Sequence, residues 1–388
     1  MDQSELDVWH MRRALELAAL GQGHVEPNPM VGCVIVRGAE IIGEGWHRRF
    51  GGPHAEVEAL RVAGHRAAGA TMYVTLEPCC HHGKTPPCTR AILEAGVCRV
   101  VVAAGDPFPQ VDGGGMTELR SAGIEVELGV LESQSRRLNA PYLKLIQTGR
   151  PWVMAKWAMT LDGKIATRSG SSRWISCPES RAIVHALRGR VDAIMVGRET
   201  ALRDDPLLTA RPVATTPTML RDQPSVGALP ERCPRTALRV VCDTGGSLGS
   251  ESQLIRTAHE APVMVAVGQE APEAQRQRLL DAGCEVFVCD GESHAARLDA
   301  LLDEFGRRRM TNVLVEGGSR LLGSLLDAAA IDEVHVFIAP KLVGGATARG
   351  PVAGKGIEQL SQAIWLEAPQ IRQVGSDVYI HGRVVHER

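Results

Sequence analysis

Apolar positions recur at helical spacing over residues 6–20, with Leu6, Met11, Leu15 and Leu17 among them, and predict an amphipathic helix. The period then shortens. VGCVIV (31–36) and EIIGEG (40–45) predict two strands joined by a turn at Arg37, Gly38 and Ala39. Residues 54–64 predict a helix preceded by Pro53 and stopped by Gly64. A strand over 70–78, a proline-opened helix over 86–96, a strand over 99–104 and a helix over 116–123 follow, and IEVELGV comes next. Alternating strands and helices imply a layered α/β domain around a central sheet.

A polar helix near 132–148 leads to Gly149-Arg150-Pro151, where the pattern restarts. Apolar segments at 152–166, 192–197, 238–243, 262–267, 284–289, 312–318 and 333–340 predict the strands of a second sheet. Helices over 178–189, 271–282, 294–307 and 319–329 separate several of them, and the proline-rich stretch 212–236 predicts a long loop. The expectation is two α/β domains, 1–149 and 150–388. A chain of 388 residues is long enough for both.

Charge removes one class of partner. The formal net charge is −2 and no long Lys/Arg run is present, which argues against nucleic acid. No apolar run approaches the roughly 20 residues that span a bilayer, and MDQSELDVWHMRR lacks the order of a signal peptide. Ten cysteines without a secretion signal read as reduced thiols, and the expectation is a cytoplasmic protein.

Some of those thiols sit where a metal would need them. His54 and Glu56 open one helix, Cys79 follows a strand, and Cys88 opens the next helix. One imidazole and two thiolates leave the fourth tetrahedral position on zinc open, as catalysis requires. An unligated carboxylate beside the metal can carry protons, and Glu56 is the candidate. The general zinc-deaminase signature is H-x-E followed by P-C-x-x-C, whereas here eight residues separate Cys79 from Cys88. Cys33 and Cys80 read as packing residues, and His81 and His82 stay open as alternative ligands.

PNPMVGCVIV (27–36), PHAEVEAL (53–60), TLEPCCHHGKTPPC (75–88) and DPFPQVDGGG (106–115) resemble the bifunctional riboflavin-biosynthesis deaminase/reductase family. Its stretched cysteine pair is matched, although Cys80 stands where the family commonly has Ser. The resemblance continues through WAMTLDGKIA (157–166), SSRWIS (171–176), the segment from Val196 to Arg211, VEGGSRLLGSLL (315–326) and IAPKLVGG (338–345). It implies a cytidine-deaminase-like three-layer α/β/α domain followed by a dihydrofolate-reductase-like α/β domain. It further implies one zinc per chain on His54, Cys79 and Cys88, with Glu56 as proton shuttle.

The substrate implied is a small phosphoribosyl-pyrimidine, deaminated first and then reduced at its ribose by NADPH. Cofactor contacts are implied at Ala158, Trp174, Thr200, Asp204, Thr244, Gly318, Ser319, Arg320, Leu321, Leu322, Gly323 and Ser324. Substrate contacts are implied at Ser172, Arg188, Leu208, Arg211 and Glu316. Read without the resemblance, Gly317-Gly318 is a glycine turn whose following helix start offers free N–H groups to phosphate. The rival reading is a deaminase of another base or of RNA, with a non-catalytic binding or dimerisation module behind it. A homo-oligomer is left open.

Overall fold

The computed structural model describes residues 2–83, 86–211 and 235–386. They form two compact units that divide between Thr148 and Gly149. Apart from 235 and 236, the stretch expected as a long loop lies outside the described residues.

The first unit contains α1 (Gln3–Ala19), β1 (Gly32–Arg37), β2 (Glu40–Trp46), α2 (Ala55–Ala63), β3 (Thr71–Leu76) and α3 (Cys88–Glu94). It continues with β4 (Arg99–Ala104), α4 (Gly114–Ser121), β5 (Glu125–Leu128), α5 (Glu132–Leu138) and α6 (Ala140–Thr148). The sheet order is β2-β1-β3-β4-β5, antiparallel as far as β3 and parallel from β3 to β5. Alternation along the strands divides the core. Val34, Val36, Tyr73 and Val101 pack under Met11, Ala14 and Leu17 of α1, and Ile35, Met72, Val74 and Val102 pack under α2, α3 and α4. That is a three-layer α/β/α domain.

Two local devices set the site's frame. A Cβ at Gly45 would lie 2.4 Å from the Ala59 nitrogen and 2.5 Å from the Ala55 oxygen, so glycine lets α2 rest directly on β2. The helix expected over 132–148 breaks at Asn139. Its side chain accepts from the Met30 nitrogen at 2.8 Å and donates to the Met30 oxygen at 2.9 Å, which binds the break to the loop before β1.

The second unit begins with β6 (Trp152–Thr160), α7 (Pro178–Arg188), β7 (Ala193–Gly197), α8 (Arg198–Asp204), β8 (Leu238–Cys242) and α9 (Gln253–Arg256). Next come β9 (Val263–Gly268), α10 (Glu273–Asp281), β10 (Glu285–Cys289), α11 (His294–Arg307), β11 (Asn312–Val315) and α12 (Ser319–Asp327). The unit ends with β12 (Glu333–Ala339), β13 (Leu366–Val374) and β14 (Asp377–Val384). Nine strands pair in the order β10-β9-β8-β7-β11-β6-β12-β14-β13. The first seven run parallel, and β14 and β13 close the edge antiparallel. Helices α11 and α12 cover one face, and α7 to α10 cover the other.

The structure differs from the sequence expectation at four places here. The strand expected over 152–166 stops at Thr160, where the Thr160 hydroxyl donates to Asp162 at 2.6 Å and turns the chain. Helices α8 and α9 and the β13–β14 hairpin are not in the sequence expectation. Strand β13 is an exposed edge with Pro369 and a register shift between Glu367 and Gln370, so it carries no buried alternation to read.

Candidate active sites

In the first unit the residues of interest gather beyond the carboxyl end of β3. His54 is the N-cap of α2, Glu56 lies in that helix's first turn, Cys79 follows β3, and Cys88 is the first residue of α3. One donor atom from each of His54, Cys79 and Cys88 lies within 4.8 Å of the other two. His54 Nδ1 is 3.2 Å from Cys88 Sγ and 3.5 Å from Cys79 Sγ, and the Cys88 backbone N–H donates to Cys79 Sγ at 3.4 Å. The Cys79 thiol is pushed down to about 4, first by the hydrogen bond from Cys88 and then by His54. Cys88 is pushed up, because its neighbour takes the charge and the side chain is buried. An imidazole and two thiols with donor atoms this close fit a divalent zinc ion.

Glu56 is buried at 3% exposure, and burial pushes its carboxyl above the ordinary range. It is not part of the three-residue donor cluster. A buried carboxyl with a raised pKa beside that cluster can hold a proton and return it. Cys33 lies buried in β1, half-exposed Cys80 points to the Gln110 carbonyl at 3.6 Å, and neither joins the cluster. His81 and His82, left open as alternatives, do not join it either.

The sequence reading passed over the groups that hold this site in place. Glu77, beside Cys79, accepts from the backbone nitrogens of Gly113 and Met116, both at 3.1 Å, and so caps α4. A Cβ on Gly115 would meet the Pro78 oxygen at 2.0 Å, so only glycine lets α4 start there. Buried His47 places its ring edge-on to His54 with centroids 5.4 Å apart, and it contacts Asn28 at 3.1 Å and the Pro53 carbonyl at 2.9 Å. The only signal for these residues was their closeness to the quoted motifs.

In the second unit a cavity of about 960 Å³ opens at the carboxyl ends of β7 and β8 and the start of α12. Ser172, Thr200, Asp204, Thr244, Gly318, Ser319, Arg320, Leu321 and Ser324 line it. Gly317 and Gly318 have φ of +100° and +84°, a region that favours glycine, and they deliver the free N–H groups of α12 to the cavity. Ser172 donates to Asp204 at 2.9 Å across its floor. Leu322 is packed in the core, and Gly323 lies against the Ala353 backbone, so neither side is turned to the cavity. Ala158 stands in β6 and Trp174 is exposed under the Arg181 guanidinium, and neither lines the cavity.

The expected substrate contacts divide. Arg188 and Glu316 pair side by side, with Arg188 Nη2 2.8 Å from Glu316 Oε2. Lys156, which the sequence reading missed, adds its amine 3.7 Å from the same carboxylate. Burial pushes Lys156 down, and the Arg188 charge holds Glu316 at about 2 in spite of burial. Leu208 is buried in the core, and Arg211 is exposed.

These arrangements define a class: a zinc deaminase centre on one α/β unit, followed by a nucleotide-sized cleft on a second. Residues 4–104 match the cytidine and deoxycytidylate deaminase zinc-binding region, and residues 151–380 match the RibD C-terminal domain. The chain belongs to the RibD family of bifunctional deaminase/reductases in riboflavin biosynthesis. It is 41% identical to riboflavin biosynthesis protein RibD of Actinobacillus pleuropneumoniae, over 96% of this chain and 94% of that one. The Escherichia coli K12 protein of the same name is also 41% identical, over 97% and 98%. Among solved structures, Acinetobacter baumannii RibD superposes with a TM-score of 0.83 at 34% identity, covering 99% of this chain and all of that one. The enzyme is thus a hydrolase and an oxidoreductase, and its family calls for zinc and a nicotinamide cofactor. Among the described residues no helix is long and apolar enough to cross a membrane.

Proposed function

We propose that the unit ending at Thr148 deaminates a phosphoribosylated diaminopyrimidine, 2,5-diamino-6-(5-phosphoribosylamino)pyrimidin-4-one, and that the unit beginning at Gly149 then reduces the ribosyl group to ribityl with NADPH. The Thermotoga maritima relative, 34% identical over 99% of this chain, is a diaminohydroxyphosphoribosylaminopyrimidine deaminase and 5-amino-6-(5-phosphoribosylamino)uracil reductase. The observation that carries the reading is the clustering of His54, Cys79 and Cys88 beside buried Glu56. Those three side chains would hold zinc, which supplies a Lewis acid able to make water nucleophilic near neutral pH. Glu56 takes a proton from the attacking water and passes it to the departing amine, a role its raised pKa suits.

In the second unit the glycine turn at Gly317 and Gly318 and the start of α12 receive the cofactor's phosphates. Arg211, exposed, is free to meet the substrate phosphate. The fork of Arg188, expected at the substrate, is directed at Glu316, which it keeps ionised. Ionised Glu316 in turn holds Lys156 beside it, with the Lys156 amine 3.7 Å from that carboxylate.

The deciding assay supplies the diaminopyrimidine phosphoriboside to zinc-replete enzyme. Ammonia release without NADPH, followed by NADPH oxidation on its addition, is the expected order. NADPH oxidation with no prior ammonia release would overturn it.

A further inference from the structure

A second donor cluster lies far along the chain from the first. Glu333 and His335 belong to β12, and His381 faces His335 directly across the β12–β14 pair. One carboxylate oxygen of Glu333 and one nitrogen of each imidazole lie within 4.8 Å of one another. His335 Nε2 is 3.2 Å from Glu333 Oε1, close to the roughly 3.3 Å that separates donors around a tetrahedral zinc ion. The other donor separations in the set are no longer than 4.8 Å.

The surroundings already orient these groups. Tyr379 Oη lies 2.6 Å from His335 Nδ1, and the Trp152 indole donates to Glu333 Oε2 at 3.1 Å. Gln370 Oε1 accepts from Arg372, so it is a carbonyl oxygen, and His381 Nε2 must donate to it at 3.0 Å. His381 Nδ1 is thus the ring nitrogen not engaged by Gln370. The two imidazoles are stacked, 11° from parallel with centroids 5.7 Å apart.

One atom is left without a role. His335 is only 2% exposed, and its Nε2 makes no hydrogen bond and faces the Glu333 carboxylate oxygen 3.2 Å away. Buried polar atoms rarely go unsatisfied without a reason. A cation between Glu333, His335 and His381 would supply that reason, with the His335 Nδ1 proton donated to Tyr379 and the Nε2 lone pair turned to the metal.

We propose that Glu333, His335 and His381 form a second transition-metal site, in the reductase unit and independent of the deaminase zinc. Two imidazoles and one carboxylate select a borderline ion of the zinc or cobalt class over magnesium or calcium. Glu333 and His381 are only partly buried, which leaves an entry path. Arg190 and Arg372 add positive charge around the cluster, so this site is the weaker of the two. It would clamp β12 to β14 near the edge of the nine-stranded sheet.

The test titrates metal-free full-length protein with Zn2+ and counts equivalents. Two are expected, one tight and one at least tenfold weaker. His381→Ala should bind one equivalent and keep deaminase activity, and Glu333→Gln should weaken the second equivalent at least tenfold. Cys88→Ser loaded with Co2+ should show weak visible ligand-field bands and no intense thiolate charge-transfer band, because the remaining site has no sulfur. A single equivalent in the unmodified chain, or a second one that survives in a folded His381→Ala or Glu333→Gln protein, would overturn the site. If His381→Ala fails to fold, Glu333→Gln and the cobalt spectrum decide.

Discussion

Arg188 and Glu316 meet as a forked pair, one from the last turn of α7 and the other just past β11, with Lys156 3.7 Å behind the carboxylate. Glu316 is held at about 2 against an ordinary 4.5, so the folded carboxyl binds its proton less readily than the unfolded one. Its contribution is therefore complete above about pH 4.5 and is lost as the pH falls toward 2. A shift of that size corresponds to on the order of 3 kcal/mol. Denaturant unfolding followed from pH 6 down to pH 2.5 should show this loss in the native enzyme and a flatter profile in Glu316→Gln. Equal slopes for the two proteins would show that the pair adds no such acid sensitivity.

The metal assignment makes a two-part forecast. Cys88→Ser should lose the tight zinc and the deaminase activity together. Cys80→Ser should keep both, since Cys80 lies outside the donor cluster. Elemental analysis beside an ammonia assay decides, and full tight-zinc occupancy in the Cys88 variant would remove it from the ligand set.

Glu56→Gln separates metal binding from proton transfer. The variant should keep zinc yet lose deamination by at least about 10⁴-fold, the upper end for general acid–base catalysis, because this carboxyl handles several proton transfers. Reduction of substrate that is already deaminated should continue at the native rate. A parallel fall in reduction would contradict a functional division at Thr148 and Gly149.

The two ends of the reductase substrates should respond to different residues. Arg211→Gln should lower kcat/KM for the phosphorylated substrate by about 10–150-fold, the cost of one charge-assisted bond of roughly 1.5–3 kcal/mol, and leave NADPH affinity nearly unchanged. Gly318→Val should weaken NADPH instead, because a Cβ there stands 3.4 Å from the Thr200 hydroxyl on a backbone with φ of +84°. Dephosphorylated substrate is the control, and the Arg211 variant should handle it much as the native enzyme does. Lost NADPH binding with retained substrate affinity would move Arg211 to the cofactor side.

The His54, Cys79 and Cys88 cluster was legible because each residue sits at the start or end of an element whose period is visible nearby, as with His54 before α2 and Cys88 opening α3. Long-range ties were not legible. Asn139 splits an otherwise continuous helical pattern by binding Met30, 109 residues away. Arg188 and Glu316 each carried a signal, but only the alignment of α7 over β11 makes them partners across 128 residues. Strand β13 escaped for the opposite reason: an exposed edge buries too little to imprint a pattern. Leu322 shows how a run of implied contacts mixes types, since it packs in the core one residue from cavity-lining Leu321.

Glu77 gives the deaminase pocket a property that outlasts any ligand. Its two carboxylate oxygens accept hydrogen bonds from the amides of Gly113 and Met116, so those amide protons exchange with solvent when these bonds at the start of α4 open. Deuterium uptake at these two amides therefore clocks the opening of the wall behind Cys79. The clock should run in metal-free and metal-loaded protein alike, and the ratio of the two rates would measure how much rigidity comes from the metal and how much was already built into the chain.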